Sequence, residues 1–323
     1  MVNKGIVTLL LAGSFFSVAH ADLVNQTSDF KLPVHLENKH IKTHLASDII
    51  VVKTCADLQA MNTDLDADYI QTKDINCSEF SGFTPIGTQH MPFTGSFTGQ
   101  DHHIAHLGIY YTEGEAGLFG YTQDAQINNV RLKDVTVIGG NYSTGALVGS
   151  LNRSLVFFSE VSGQVSSTAA NVGGMVGQAH DSALLYVSAR GLVIGETNVG
   201  GLAGHAADSG IYDSYSANTV DGLHNVAGLV GLLTNHSEVM DTFSIGPVNG
   251  LVHAGGLIGK NQMSSVEASF WDKKTSNQEN SDGGLGYTTK RMQNPLTYSG
   301  WDDQIWYFVE GNYPVLLWQF ESN

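Results

Sequence analysis

Positive charge is what this sequence has least of: 15 Lys and Arg stand against 31 Asp and Glu in 323 residues, a formal net charge of −16. A surface so acidic repels phosphate backbones and anionic lipid, which excludes nucleic-acid binding and polybasic docking on a membrane. Charge of either sign is sparse, 14% of the chain against 42% hydrophobic residues, so the chain has the material for a continuous core. Beyond the N-terminus there is no long apolar span, and no transmembrane anchor is expected. Only two cysteines occur, Cys55 and Cys77, 22 residues apart. In an oxidising compartment such a pair reads as a disulfide before a metal site or a nucleophile, and closing that loop contributes ~3 kcal/mol.

The compartment follows from the first residues. Lys4 precedes the apolar run from Ile6 to Ala12, and Ala19-His20-Ala21 has the small-x-small form of a cleavage site. Residues 1–21 read as an export signal, placing the mature chain outside the inner membrane, whether extracellular, on the cell surface or in the periplasm. Residues 22–47 carry His35, His40 and His44 with few strong apolar clusters and read as a flexible leader.

What the chain does have is glycine, 37 residues of it, and the glycines recur in a phrase. It stands at Ala116-Gly117-Leu118-Phe119-Gly120, Gly145-Ala146-Leu147-Val148-Gly149 and Gly173-Gly174-Met175-Val176-Gly177. It returns at Gly200-Gly201-Leu202-Ala203-Gly204, Ala227-Gly228-Leu229-Val230-Gly231 and Gly255-Gly256-Leu257-Ile258-Gly259. The closing glycines are spaced by 29, 28, 27, 27 and 28 residues, and a fixed period of this size marks stacked units. Between phrases, apolar residues alternate with polar ones, as in Val130, Leu132, Val135 and Val137, with one phase break where two short strands meet at a bend. A unit of this length, at ~3.3 Å per residue, can trace three faces of a coil. The composition disfavours two helices per unit. The expected fold is all-β: a right-handed parallel β-helix with ~27–29-residue rungs, by the strand-crossover rule. Residues 48–110 would form the N-terminal cap and first rungs, 111–270 the repeat, and 271–323 an aromatic-rich C-terminal cap. Trp271, Trp301, Trp306 and Trp318 have the bulk to cover terminal rungs.

The text also resembles that of GLUG-motif proteins. Asp57-Leu58-Gln59-Ala60-Met61-Asn62, Phe83-Thr84-Pro85-Ile86-Gly87, Pro92-Phe93-Thr94-Gly95-Ser96-Phe97-Thr98-Gly99 and the recurring phrase follow in the order of that family's opening. Phe270-Trp271-Asp272, Gly283-Gly284-Leu285-Gly286-Tyr287 and Glu310-Gly311-Asn312-Tyr313-Pro314 are similar to its tail. The resemblance, over about 48 to 318, implies a bacterial surface or secreted scaffold of the haemagglutinin and adhesin kind. On that reading the partner is a glycan or a host or cell-surface protein, met along a rigid laddered face. The alternatives are a β-helix glycoside hydrolase and an exported effector that binds a host protein.

The candidates for chemistry are few. Four residues past the phrase glycines stand Asp124, Arg153, Asp181, Asp208, Asn235 and Met263. Asp181-Ser182 and Asp208-Ser209 repeat one rung apart, and in register their carboxylates would lie ~5 Å apart, fit for a cation, a sugar or an acid pair. Asp and Ser also stabilise turns by bonding to nearby backbone groups. Asp101, His102, His103 and His106 have metal-like spacing, but alternate strand residues point to opposite faces and cannot all converge. Asp64-Leu65-Asp66-Ala67-Asp68 lacks the glycine and glutamate of a calcium loop. A lyase acting on uronates needs cationic side chains, yet only Arg153 and Arg190 lie between Gly139 and Gly259. No catalytic residue, metal site or cofactor is assigned.

Overall fold

The computed structural model describes residues 49–168 and 170–320. The export signal and the leader lie outside the described residues. The chain winds as a parallel β-solenoid whose rungs have four sides instead of three. In one rung these are face 1 at Val148–Asn152, face 2 at Leu155–Phe157, face 3 at Glu160–Ser166 and face 4 at Val172–Gly173. Stacked in parallel register, the faces build sheets of six, nine, eleven and five strands. The fourth face is short because the phrase glycines let the chain turn twice in a few residues.

The phrase supplies the spine of the core. Leu118, Leu147, Met175, Leu202, Leu229 and Leu257 are fully buried, one above another, and so are Phe119, Val148, Val176, Ala203, Val230 and Ile258 beside them. Each rung thus covers the apolar side of its neighbour, which no rung could do alone. The second glycine of the phrase is obligatory at Gly201, where a Cβ would strike the Gly228 carbonyl of the next rung and the Ser216 hydroxyl.

Two columns of corners have left-handed backbone at residues other than glycine. Asp124, Arg153, Asp181, Asp208, Asn235 and Met263, with φ between 44° and 62°, turn face 1 into face 2. Asn129, Phe158, Tyr186, Asp213, Asp241 and Ala268 turn face 2 into face 3. Asp and Asn tolerate this conformation better than other residues, and their repetition has this local cause. A buried serine follows the first corner. Ser182 Oγ accepts the Ser154 N–H, Ser209 Oγ that of Ser182, Ser237 Oγ that of Ser209 and Ser264 Oγ that of Ser237, each at 3.1 Å. The fifth rung uses Ser237 and not His236, because Asn235 and His236 are both left-handed and the corner is one residue longer.

At the N-terminal end the helix Cys55–Ala60 carries a capping box from Thr54 and Asp57 and is tied by the Cys55–Cys77 disulfide, Cα atoms 5.7 Å apart. At the other end residues 280–287 lie on the last rung: Gly256 N–H donates to Asn280 O, Asp282 N–H to Ile258 O and Leu285 N–H to Ser269 O. Trp271 packs there in the core of the coil, its Nε1 donating to Gln278 O at 3.1 Å, but Trp301, Trp306 and Trp318 do something different from closing that end. Residues 298–319 run back along the outside of the second corner column as a strap. Trp301 Nε1 donates to Ala268 O at 3.0 Å, Trp306 Nε1 to Asp213 Oδ1 at 2.9 Å and Trp318 Nε1 to Tyr186 O at 3.0 Å. Under the strap lies a second apolar core containing Phe158, Tyr186, Phe243, Trp301 and Trp306, separate from the interior of the coil. Its far end is held by the buried Arg131, whose Nη1 donates to Glu160 at 3.0 Å while the guanidinium lies over the Trp318 ring at 4.9 Å.

Candidate functional site

Face 1 is the side of the solenoid that the strap leaves open. The last three residues of each of its strands alternate, so that Thr122, Leu151, Ala179, Ala206 and Leu233 point into the core and their neighbours form two outward columns. One column reads Tyr121, Ser150, Gln178, His205, Leu232 and Lys260; the other reads Gln123, Asn152, His180, Ala207, Thr234 and Gln262. Over the first three strands the surface sinks into a cavity of about 270 Å³. Tyr121, Ser150, Asn152, Gln178 and His180 make its floor, Gln89 and Glu115 close one end, and Asn141, Tyr142, Ser143, Ala170 and Asn171 form a wall.

Hydrogen bonds fix the polar groups of this groove. Gln178 Oε1 accepts from Asn171 Nδ2 at 3.0 Å and from Ser143 Oγ at 3.4 Å. Asn171 Oδ1 accepts from Asn198 Nδ2 at 2.9 Å, and Asn198 Oδ1 from Asn225 Nδ2 at 2.7 Å. An amide ladder three rungs long therefore ends on Gln178, with every amide pointing the same way. On the floor, Asn152 Nδ2 donates to Tyr121 Oη at 3.1 Å.

The opposite rim is the first corner column. Arg153 grips Asp124 with two bonds, Nε to Oδ1 at 2.9 Å and Nη2 to Oδ2 at 2.8 Å, which hold the guanidinium pKa above its ordinary value. One rung on, His180 stands between the two carboxylates, with Nδ1 3.7 Å from Asp181 Oδ2 and Nε2 4.0 Å from Asp208 Oδ2. Asp181 and Asp208 are thus at adjacent left-handed corners, on one edge of the groove and flanking one imidazole. They are not placed across a cleft from each other, the arrangement in which one carboxyl protonates a leaving group while its partner attacks or activates water. His205, further along, has its pKa lowered by burial and then by His180, and its Nε2 meets Thr234 Oγ1 at 2.9 Å. Neutral at physiological pH, it adds a polar ring without charge.

The N-terminal histidines do not form a centre: His102 and His103 each approach Asp74, at 3.4 and 3.7 Å, while His106 turns a separate corner. Among the described residues no group of three His, Cys, Asp or Glu side chains is placed to hold a metal ion, and no helix is long and apolar enough to cross a membrane. At the second corner column burial pushes Asp213 up to about 7 and Asp241 up to about 6.

Reading for carboxylates and histidines misses the groove's neutral donors, Gln178 and the asparagines behind it. A signal for them exists: Asn171-Val172-Gly173, Asn198-Val199-Gly200 and Asn225-Val226-Ala227 repeat Asn-Val-small at steps of 27 residues.

No protein-family model matches the chain, and no curated protein matches it in sequence. Among solved structures it is similar to a "putative immunoglobulin A1 protease" from Bacteroides ovatus, with a TM-score of 0.67 and 16% identity over 88% of this chain and 96% of that one. A second structure, named IgA1 Protease, matches with a TM-score of 0.45 and 14% identity over 68% of this chain and 19% of the other. At such identity the first likeness carries the fold, a β-solenoid, and stops there.

Proposed function

We propose that this chain is an exported or surface-associated binding protein of the GLUG type, and that the groove on face 1 is where it takes a neutral glycan. The observation that carries the reading is the groove itself: a concave polar surface on a rigid sheet, with side-chain amides held by their own hydrogen bonds and no pair of carboxylates astride it. Preorganised amides, hydroxyls and a phenol ring suit sugar hydroxyls, which present donors and acceptors together. The acidic rim and the net charge of −16 disfavour uronates and sulfated glycans. The rungs supply stiffness, so a ligand does not pay for ordering the surface that receives it.

The test is direct. The purified chain is titrated on a broad glycan array with product release followed, beside Ser150→Trp, which fills the groove from its exposed floor, and Thr219→Trp, which adds the same bulk on face 3. Saturable binding that Ser150→Trp abolishes and Thr219→Trp leaves intact is the expected result. Equal binding by both variants would remove the site from face 1, and release of oligosaccharide would make the chain a hydrolase.

A further inference from the structure

The sense of the amide ladder says more about the ligand. Asn225 and Asn198 each donate from Nδ2 to the oxygen of the asparagine one rung before, and Asn171 Nδ2 donates to Gln178 Oε1 seven residues ahead on its own turn. Ser143 Oγ donates to the same oxygen. The carbonyl end of Gln178 is therefore engaged from two sides by the groove wall, and its Nε2, a group with two N–H donors, is left to the cavity. Hydrogen bonds in series polarise one another, so an amide whose oxygen accepts from such a chain is a better donor at its nitrogen. Asn198 and Asn225 occupy left-handed corners, with φ of 50° and 51°, which fixes their side chains to the backbone turn and keeps the chain of amides in register.

A donor aimed into a groove calls for an acceptor on the ligand. That acceptor is uncharged, because Glu115 lines the same cavity and the chain carries a formal net charge of −16. Beside the donor, the ring of the half-exposed Tyr142 and the methyl of Ala170 line the wall and provide a small apolar surface. A carbonyl oxygen next to a methyl group is what these two features fit together. We propose that the groove selects an N-acetylated sugar, with the acetamido oxygen on Gln178 Nε2 and the methyl against Tyr142 and Ala170. The assignment rests on the glycan reading of this groove and adds the chemical group that it recognises. Gln178 is the specificity-determining residue, and Asn171 is a positioning residue acting through it.

The experiment compares the tetramer of N-acetylglucosamine with the tetramer of glucosamine, which carries amines in place of acetamides, by calorimetry at pH 7 and about 0.15 M salt, where charges beyond about 8 Å are screened. Charge alone would favour the amine on this acidic protein, so the two explanations have opposite signs. The expected result is at least ~10-fold tighter binding of the acetylated tetramer, because a site built to donate loses a bond to a ligand without the acceptor. Gln178→Glu keeps the bond from Asn171 and loses both donors, and it should remove the preference. Asn171→Asp cannot donate to Gln178 Oε1 and turns the glutamine around; it should weaken the acetylated tetramer by a similar factor while the circular dichroism spectrum stays unchanged. Equal or tighter binding of the amine tetramer, or wild-type preference in Gln178→Glu, overturns the proposal. If in that case Ser150→Trp still abolishes glycan binding, the groove stands and only the acetamido assignment falls. If Ser150→Trp leaves binding intact, both fall.

Discussion

At the scale of single residues, Asp213 carries the clearest consequence. It turns a left-handed corner, lies beneath the strap and accepts from Trp306 Nε1. That bond favours the carboxylate, but burial outweighs it, and the nearby Asp241 and Asp302 act in the same direction as burial; the pKa rises to about 7. The native state therefore holds a proton between about pH 4 and 7 that the unfolded chain has released, and stability falls as pH climbs through that window. Asp241, pushed to about 6 by burial, adds to the same trend. His205 opposes it, since its lowered pKa makes the native state gain as pH rises. Comparison with Asp213→Asn isolates the one group: asparagine tolerates the corner, still accepts from Trp306 and does not titrate. Urea midpoints at pH 5 and pH 8 should differ less favourably at pH 8 for the wild-type chain than for the variant. Asp213→Asn should be the more stable of the two at pH 8 by an amount of order 2–4 kcal/mol. A variant that loses stability at pH 8 would show that the carboxylate is a favourable partner there and not a buried liability.

The rung, at the scale of elements, was legible because its constraint is local and repeats. Leu118 and its five equivalents had to be inward, their glycines had to admit a neighbouring backbone, and the corner aspartates had a turn to make. The Asp181 and Asp208 column was visible for the same reason, and its position at left-handed corners follows from backbone geometry before any ligand is considered. Gln178 was not legible, because nothing about one glutamine in an alternating strand says which amide end its neighbours occupy. The strap was hidden for another reason: Trp306 and Asp213 are 93 residues apart, and no period links them. Expecting Trp301, Trp306 and Trp318 to cover a terminal rung was an argument about bulk, whereas each indole N–H needs an acceptor, and the second corner column offers a row of them. The strap is thus a packed element with its own core. Trp306→Ala should cost about 3–5 kcal/mol, the usual loss for a buried tryptophan. It should also red-shift the emission of Trp301 and Trp318 by wetting the corner column, while Trp271 stays in the core of the coil. A melting curve and an emission maximum unchanged from the wild-type chain would mean that the strap is only laid on the coil.

On the scale of the whole molecule, the coil and the strap count rungs differently. The coil has no preferred length, since each rung meets only its neighbours and a shorter stack is closed by the same ends. The strap has a fixed span, with Trp301 on Ala268, Trp306 on Asp213 and Trp318 on Tyr186. Residues 178–204 are one complete rung, running from the residue after Gly177 to Gly204, and their removal joins equivalent positions in the sequence. The deletion leaves the core columns continuous. It also takes away Tyr186 and puts the Phe158 corner in its place beside Asp213, so that Trp318 meets a rung whose side chains are not the ones it packs against in the intact chain. The far-ultraviolet spectrum of this shortened chain should keep its β character, while Trp318 and the contacts of Gln319 with Glu160 and Ser188 come out of register. Unfolding followed by tryptophan emission should then precede unfolding followed by circular dichroism, where the intact chain gives one coincident transition. Removing one rung and deleting residues 295–323 together should restore coincidence, because a coil without a strap has no length to match. A shortened chain that still unfolds in a single coincident step would show that the strap slides, and that the stack alone sets the length of the molecule.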